Sequence, residues 1–187
     1  MNDDYKIWFP HEVFYIERLL SITRTVMCEK NVTIIFLEEI ENKNFKNQKL
    51  LIDSVQNIIN QSALIFRFFW PVSKESVHKK RGQKLRQVYG ITESNLLKNR
   101  DVRNFIEHFD EKLDLYLNQF ITGLIIPSYV GPRISLEAKH LFRAYFIDEA
   151  IFKILDLEYA IIPIVDEIER IHFLLENDMK AGRFSSN

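Results

Sequence analysis

The sequence predicts a mainly α, single-domain protein with one small β-hairpin near its C-terminus. Apolar residues recur at the 3.6-residue helical period in segments spread along the chain, and only 5 Gly and 5 Pro in 187 residues leave few places to break them. β-Branched and aromatic residues flank a polar turn over residues 141–155. Hydrophobic residues at 47% and charged residues at 27% describe a globular chain able to bury one core. No internal repeat, low-complexity tract or linker divides it, so residues 1–187 read as one domain.

A first helix is expected over residues 11–29, behind Pro10, with Val13, Ile16, Leu19, Leu20, Val26 and Met27 largely on one face. Residues 32–41 are ambiguous. A second long helix over 45–69 carries the stripe Leu50, Leu51, Val55, Ile58, Ile59, Ser62, Ile65, Phe66 and Phe69, and Trp70-Pro71 ends it and plugs the core. Residues 72–79 read as a loop, 80–89 as a short basic helix stopped by Gly90. Thr92, Ser94 and Asn95 are capping candidates for a continuous helix over 95–120. A loop with Gly123, Pro127, Gly131 and Pro132 follows. Residues 141–147 and 151–155, around Asp148-Glu149, form the hairpin, and a helix over 161–176 closes the domain.

No run approaches the roughly 18 apolar residues of a membrane span. The start, Met1, Asn2, Asp3 and Asp4, lacks the basic and apolar stretches of a signal peptide, so a cytoplasmic protein without membrane contact is expected. The single Cys28 agrees with a reducing compartment and reads as a small buried hydrophobe.

Net charge is −1, but its distribution is uneven. Residues 74–103 hold nine cations (74, 79, 80, 81, 84, 86, 98, 100, 103) against three acids (75, 93, 101), whereas acids outnumber bases nine to four from Ala144 onward. A basic middle attracts phosphates locally, which the global charge hides.

On a helical wheel of residues 100–117, Val102, Phe105, Ile106, Phe109, Leu113, Tyr116 and Leu117 share a core-facing arc of about 120°. The opposite arc carries Arg103, Asn104, Glu107 and His108: a fixed cation, an amide, a carboxylate and an imidazole. Asn104 stands four residues from His108 and can bias its tautomer or orientation; Arg103 and Glu107 have the spacing of an ordinary surface ion pair. Arg103 and His108 lie about 7.5 Å apart along such a helix and about 140° apart around it, so two helices crossing near a two-fold axis could converge all four side chains on one phosphate.

The string Arg103-Asn104-Phe105-Ile106-Glu107-His108 resembles the Arg, polar residue, then His motif of the HEPN superfamily, and the wider stretch over residues 97–114 is similar to an uncharacterised bacterial branch of it. The resemblance is sharp over about twenty residues and elsewhere rests on helix order. Arg133 and His140 also satisfy the spacing, but that pair begins in a Gly-Pro loop with apolar Ile134 next to the Arg.

The resemblance implies a HEPN-like antiparallel helical bundle that cleaves RNA without a metal at a homodimer interface, as toxin and abortive-infection proteins do, restrained by an antitoxin or regulatory protein. Independently of it, attack by the RNA's own 2′-hydroxyl needs a group that moves protons near neutral pH and a fixed cation on the phosphate, and His108 and Arg103 are of those types. Lys98, Arg100, Lys80, Arg81 and Arg86 are candidate RNA-backbone contacts or plain surface charge. Glu107 either opposes RNA or holds Arg103. No metal or cofactor is expected: acids with metal-ligand spacing, a phosphate-binding Gly-rich loop and a nucleophile elbow are absent, and His11, His78, His140 and His172 are scattered. A catalytically silent module that binds a nucleotide or a partner protein shares the same helices; the intact Arg103, Asn104 and His108 favour the enzyme.

Overall fold

The computed structural model describes residues 5–42, 47–73, 75–98, 104–105, 108–119, 123–135 and 139–185. Helix α1 (Phe9–Glu41) continues straight through the ambiguous segment. Its far half is held by α2 (Gln48–Phe69), which starts where Asn47 Oδ1 accepts the Leu50 N–H. The two helices run antiparallel, with Thr33 Oγ1 3.3 Å from Ser54 Oγ and Glu29 accepting from Ser54 Oγ at 2.6 Å and from Asn57 Nδ2 at 2.7 Å. Against the other side of α1 lies α5 (Ile161–Ala181), also antiparallel, tied by Lys30 to Glu169 at 2.8 Å and ended by Gly182 in the left-handed conformation.

Helix α3 (Ser76–Val88) begins inside the expected loop and buries only Gly82 and Leu85. Gly82 is required by close approach, since a Cβ there would meet Pro71 Cδ at 2.6 Å and the Phe69 carbonyl oxygen at 2.7 Å. The continuous helix expected over 95–120 is not formed. Leu96–Lys98 is a short 3-10 turn, with Asn95 Oδ1 accepting the Leu97 N–H and Asn95 Nδ2 donating to Glu167. His108 has φ −121° and ψ 34°, outside the helical region, and a separate helix α4 (Phe109–Leu117) starts after it. Asp110 and Glu111 favour that start, because acids stabilise the positive end of a helix.

The expected antiparallel helical bundle with only a small C-terminal hairpin is corrected by the four-stranded sheet. Residues 124–131, expected as loop, form edge strand β1 (Leu124–Gly131), which pairs in parallel with β2 (Lys139–Phe146), Leu124 opposite Lys139 and Gly131 opposite Phe146. The expected hairpin is present as β2 and β3 (Ile151–Ile154), but β4 (Leu157–Ala160) extends it, giving a mixed sheet ordered β1-β2-β3-β4. Pro127 is tolerated because β1 is an edge. Mainly α still describes the chain.

Tyr145, Phe152, Ile154 and Tyr159 join the core formed with α1, α2 and α5. Leu141, Ala144 and Phe146 form a second cluster with Ile126, Tyr129, Ile134 and Ile151. Over it lies Arg133, its guanidinium 4.3 Å from the Phe146 ring centre and hydrogen-bonded to Glu149 at 2.7 Å and Glu158 at 3.0 Å. Its N–H donates to Asp148.

The buried Asp178 anchors the chain after α5. It accepts from the Tyr89 hydroxyl at 3.0 Å and from Ser185 N and Oγ at 2.8 and 2.6 Å. Burial, and then the Asp178 charge, push the Tyr89 hydroxyl well above its ordinary range, so it remains a donor. Asp178→Ala leaves these donors without their acceptor and is expected to cost about 2–4 kcal/mol, read as a lower denaturant midpoint at unchanged m-value.

Hydrogen bonds from Arg133 hold the Glu158 carboxyl below its usual 4.5. The folded state therefore keeps this group ionised at a pH where the unfolded chain takes up a proton, so its stabilisation is complete above the ordinary value and is lost as pH falls through the lower folded one. Glu158→Gln is expected to flatten the acid limb of Tm against pH below about 4.5, followed by thermal melts; an unchanged limb would count against the coupling.

Candidate functional site

Helix α2 ends at Phe69 because Pro71 cannot continue it, leaving its last carbonyls exposed at the negative end of the helix dipole. Two arginines of α3 cover them: Arg81 Nη2 donates to the Arg67 carbonyl at 3.3 Å and Arg86 Nη1 to that of Phe69. Arg86 also lies over the Trp70 ring at 5.4 Å, and Trp70 stacks on Phe66 with centroids 5.3 Å apart. Two of the residues expected to meet RNA are thus, first, caps of α2.

At this corner opens a cleft of about 460 Å³, lined by Phe66, Trp70, Pro71 and Val72 from the end of α2, by Lys79, Gln83 and Arg86 from α3, and by Asn104. The three α3 residues stand at i, i+4 and i+7, one stripe of the helix. The cleft therefore offers an aromatic and aliphatic wall beside two cations and two carboxamides, a donor set suited to a phosphate-bearing ligand.

Asn104 reaches the cleft because its neighbour is an anchor. Phe105 is buried, meets Phe109 edge-on at 5.4 Å, and both border a pocket of about 170 Å³ with Gln56, Ile59 and Asn60 of α2 and Phe152 and Ile154 of β3. His108 follows one turn on, its N–H donating to the Asn104 carbonyl at 3.1 Å. Its ring is about half exposed, with Nδ1 3.5 Å from Glu111 Oε2, and it is not among the residues that line the cleft.

Of the other expected site residues, Lys98 pairs with Glu93 at 2.7 Å and Lys80 lies partly buried on α3, off the stripe. Arg103, Arg100 and Glu107 lie outside the described residues. The alternative pair is accounted for differently: Arg133 is engaged by Glu149 and Glu158, and His140 sits in β2. Cys28, expected to be buried, is exposed on α1.

Sequence reasoning missed Lys79, Gln83 and Trp70 as site residues. The i, i+4, i+7 spacing of 79, 83 and 86 was the available signal; the half-buried Trp70 looked like a core plug. One arrangement of catalytic type lies elsewhere: Thr23 Oγ1 is 2.8 Å from His172 Nδ1, with Glu176 3.7 Å from the other ring nitrogen. Thr23 is fully buried and donates to the Leu20 carbonyl, so no substrate can reach it.

Among the described residues no helix is long and apolar enough to cross a membrane. Comparison with protein-family models, with curated proteins and with solved structures finds no match.

The cleft depends on α3 lying tight against the end of α2. Gly82→Ala is expected to force the helices apart, lowering stability by about 1–3 kcal/mol and shifting the emission of the half-buried Trp70 to the red as water reaches it. Unchanged melting and emission would show the contact to be slack.

Proposed function

We propose that this chain binds RNA through the α3 cleft and cuts it without a metal, with Arg103 and His108 as the catalytic pair. The observation that carries this reading is the position of Asn104: the polar residue of the Arg103-Asn104-x-x-x-His108 string lines the same cleft as Lys79 and Arg86. The basic segment and one residue of the HEPN-like string, separate features of the sequence, therefore border one cleft. Support for the chemistry comes from residue type. His108 moves the proton of the attacking 2′-hydroxyl, Arg103 offsets the charge that builds on the phosphate, and the products are a 2′,3′-cyclic phosphate and a 5′-hydroxyl. Two copies of the chain bring two motifs to one phosphate, and a cytoplasmic antitoxin-like partner restrains the activity.

A second reading, binding of RNA or a nucleotide without cleavage, is favoured by one observation: His108 lies outside the lining of the cleft, beside Glu111.

Incubation of the purified protein with labelled RNA in excess EDTA separates the two. Cleavage with cyclic phosphate ends, abolished by both His108→Ala and Arg103→Ala, is the expected result. Binding with no cleavage of any RNA would leave the second reading, and cleavage that EDTA stops would sink the metal-independent mechanism. Lys79→Ala is expected to weaken RNA binding across sequences and to make log K against log salt shallower by about 0.7, the contribution of one phosphate contact on a single strand.

A further inference from the structure

Three groups converge on one side chain at the rim of the cleft. Glu93, in the chain between α3 and the 3-10 turn, has its carboxylate 2.7 Å from Lys98 Nζ and 3.3 Å from Arg86 Nη2. The Trp70 indole nitrogen is buried, lacks a well-aligned hydrogen-bond partner, and borders the same carboxylate. The Lys98 hydrogen bond, followed by the charge of Arg86, holds the Glu93 carboxyl below the usual carboxylate range.

Two cations and an N–H around one oxyanion form the donor set of a phosphate site. The parts differ in how firmly they are held. The Arg86 side chain is 16% exposed and is fixed by the Phe69 carbonyl and by its place over Trp70, neither of which involves Glu93. The Glu93 side chain is 64% exposed and is held at its tip by the two cations, beside the Trp70 N–H. Arg86 and Trp70 belong to the fold; the carboxylate can swing into water.

We infer that Arg86, Lys98 and Trp70 form an anion site whose resident occupant is Glu93, and that a phosphate group of the ligand enters by displacing that carboxylate. The inference rests on the RNA-binding reading only for the source of the phosphate. A phosphate that enters exchanges one ion pair for another at Arg86 and Lys98, so net affinity comes from what the rest of its chain gains along the cleft at Lys79 and Gln83. Glu93 is thereby an internal competitor that a lone weak anion does not dislodge and a polyanion does.

The test measures binding of a fluorescent single-stranded RNA, and separately of inorganic pyrophosphate, to the wild type, Glu93→Gln, Glu93→Ala and Glu39→Gln, the last making the same charge change on α1. Both Glu93 variants are expected to bind RNA about five- to tenfold more tightly at about 50 mM salt, with a steeper salt dependence, whereas Glu39→Gln changes little. Tightening by Glu39→Gln to the same degree would reduce the effect to net charge and overturn the inference. Unchanged or weaker binding by the Glu93 variants, with the wild type binding RNA, would overturn it and leave the RNA reading standing. Tighter pyrophosphate binding by the Glu93 variants without RNA binding would uphold the anion site and remove RNA as its ligand; no binding of either probe by any variant would remove both.

Discussion

Helix α2 has to be enclosed on more than one side, and the arrangement of the other elements follows from that. Leu51, Ile52, Val55, Ile58, Ile59, Ala63, Ile65, Phe66 and Phe69 are all buried, a set too wide for one apolar stripe. A helix of this kind cannot lie on a surface. Helix α1 covers one side, the sheet another, and α3 its C-terminal end. The sheet is thus part of the enclosure of α2, which is why a hairpin alone, marginal by itself, gains an added strand at each edge.

The same enclosure creates the site. A buried helix that stops at a proline presents unsatisfied carbonyls, and α3 supplies Arg81 and Arg86 to meet them. Cations gathered for a structural purpose then border a cleft in which Lys79 and Gln83 project from the same helix. Glu93 offsets part of that charge through Arg86 and Lys98. Counting cations over residues 74–103 therefore overstates the positive charge offered to a ligand, since arginines of this segment bond to carbonyls or carboxylates of the chain itself.

Much of the helical content was legible in the residues. The stripes of α2 and α5 announce themselves through period, and the polar turn between residues 147 and 150 marks the β2–β3 hairpin. Strand β1 was not legible, because Gly123, Pro127 and Gly131 carry loop signals that an edge strand tolerates. Its parallel pairing with β2 across only residues 132–138 defies the usual helical crossover, so nothing local suggested it. The break at His108 was hidden for a related reason: the apolar period continues across it, since Phe105 and Phe109 enter the same core on either side of a turn that the period does not register.

By itself the sequence determined the period of each helix, the stop at Pro71, the turn of the hairpin, the uneven charge and the string from Arg103 to His108, because each is written in neighbouring residues whose backbone and charge interact locally. Tertiary structure alone decided that Asn104 and the 79, 83, 86 stripe share a cleft, that Arg81 and Arg86 cap α2, and that residues 124–131 pair as a strand. These depend on contacts between residues far apart in the chain, where the burial of α2 and the satisfaction of its end groups outweigh local preference.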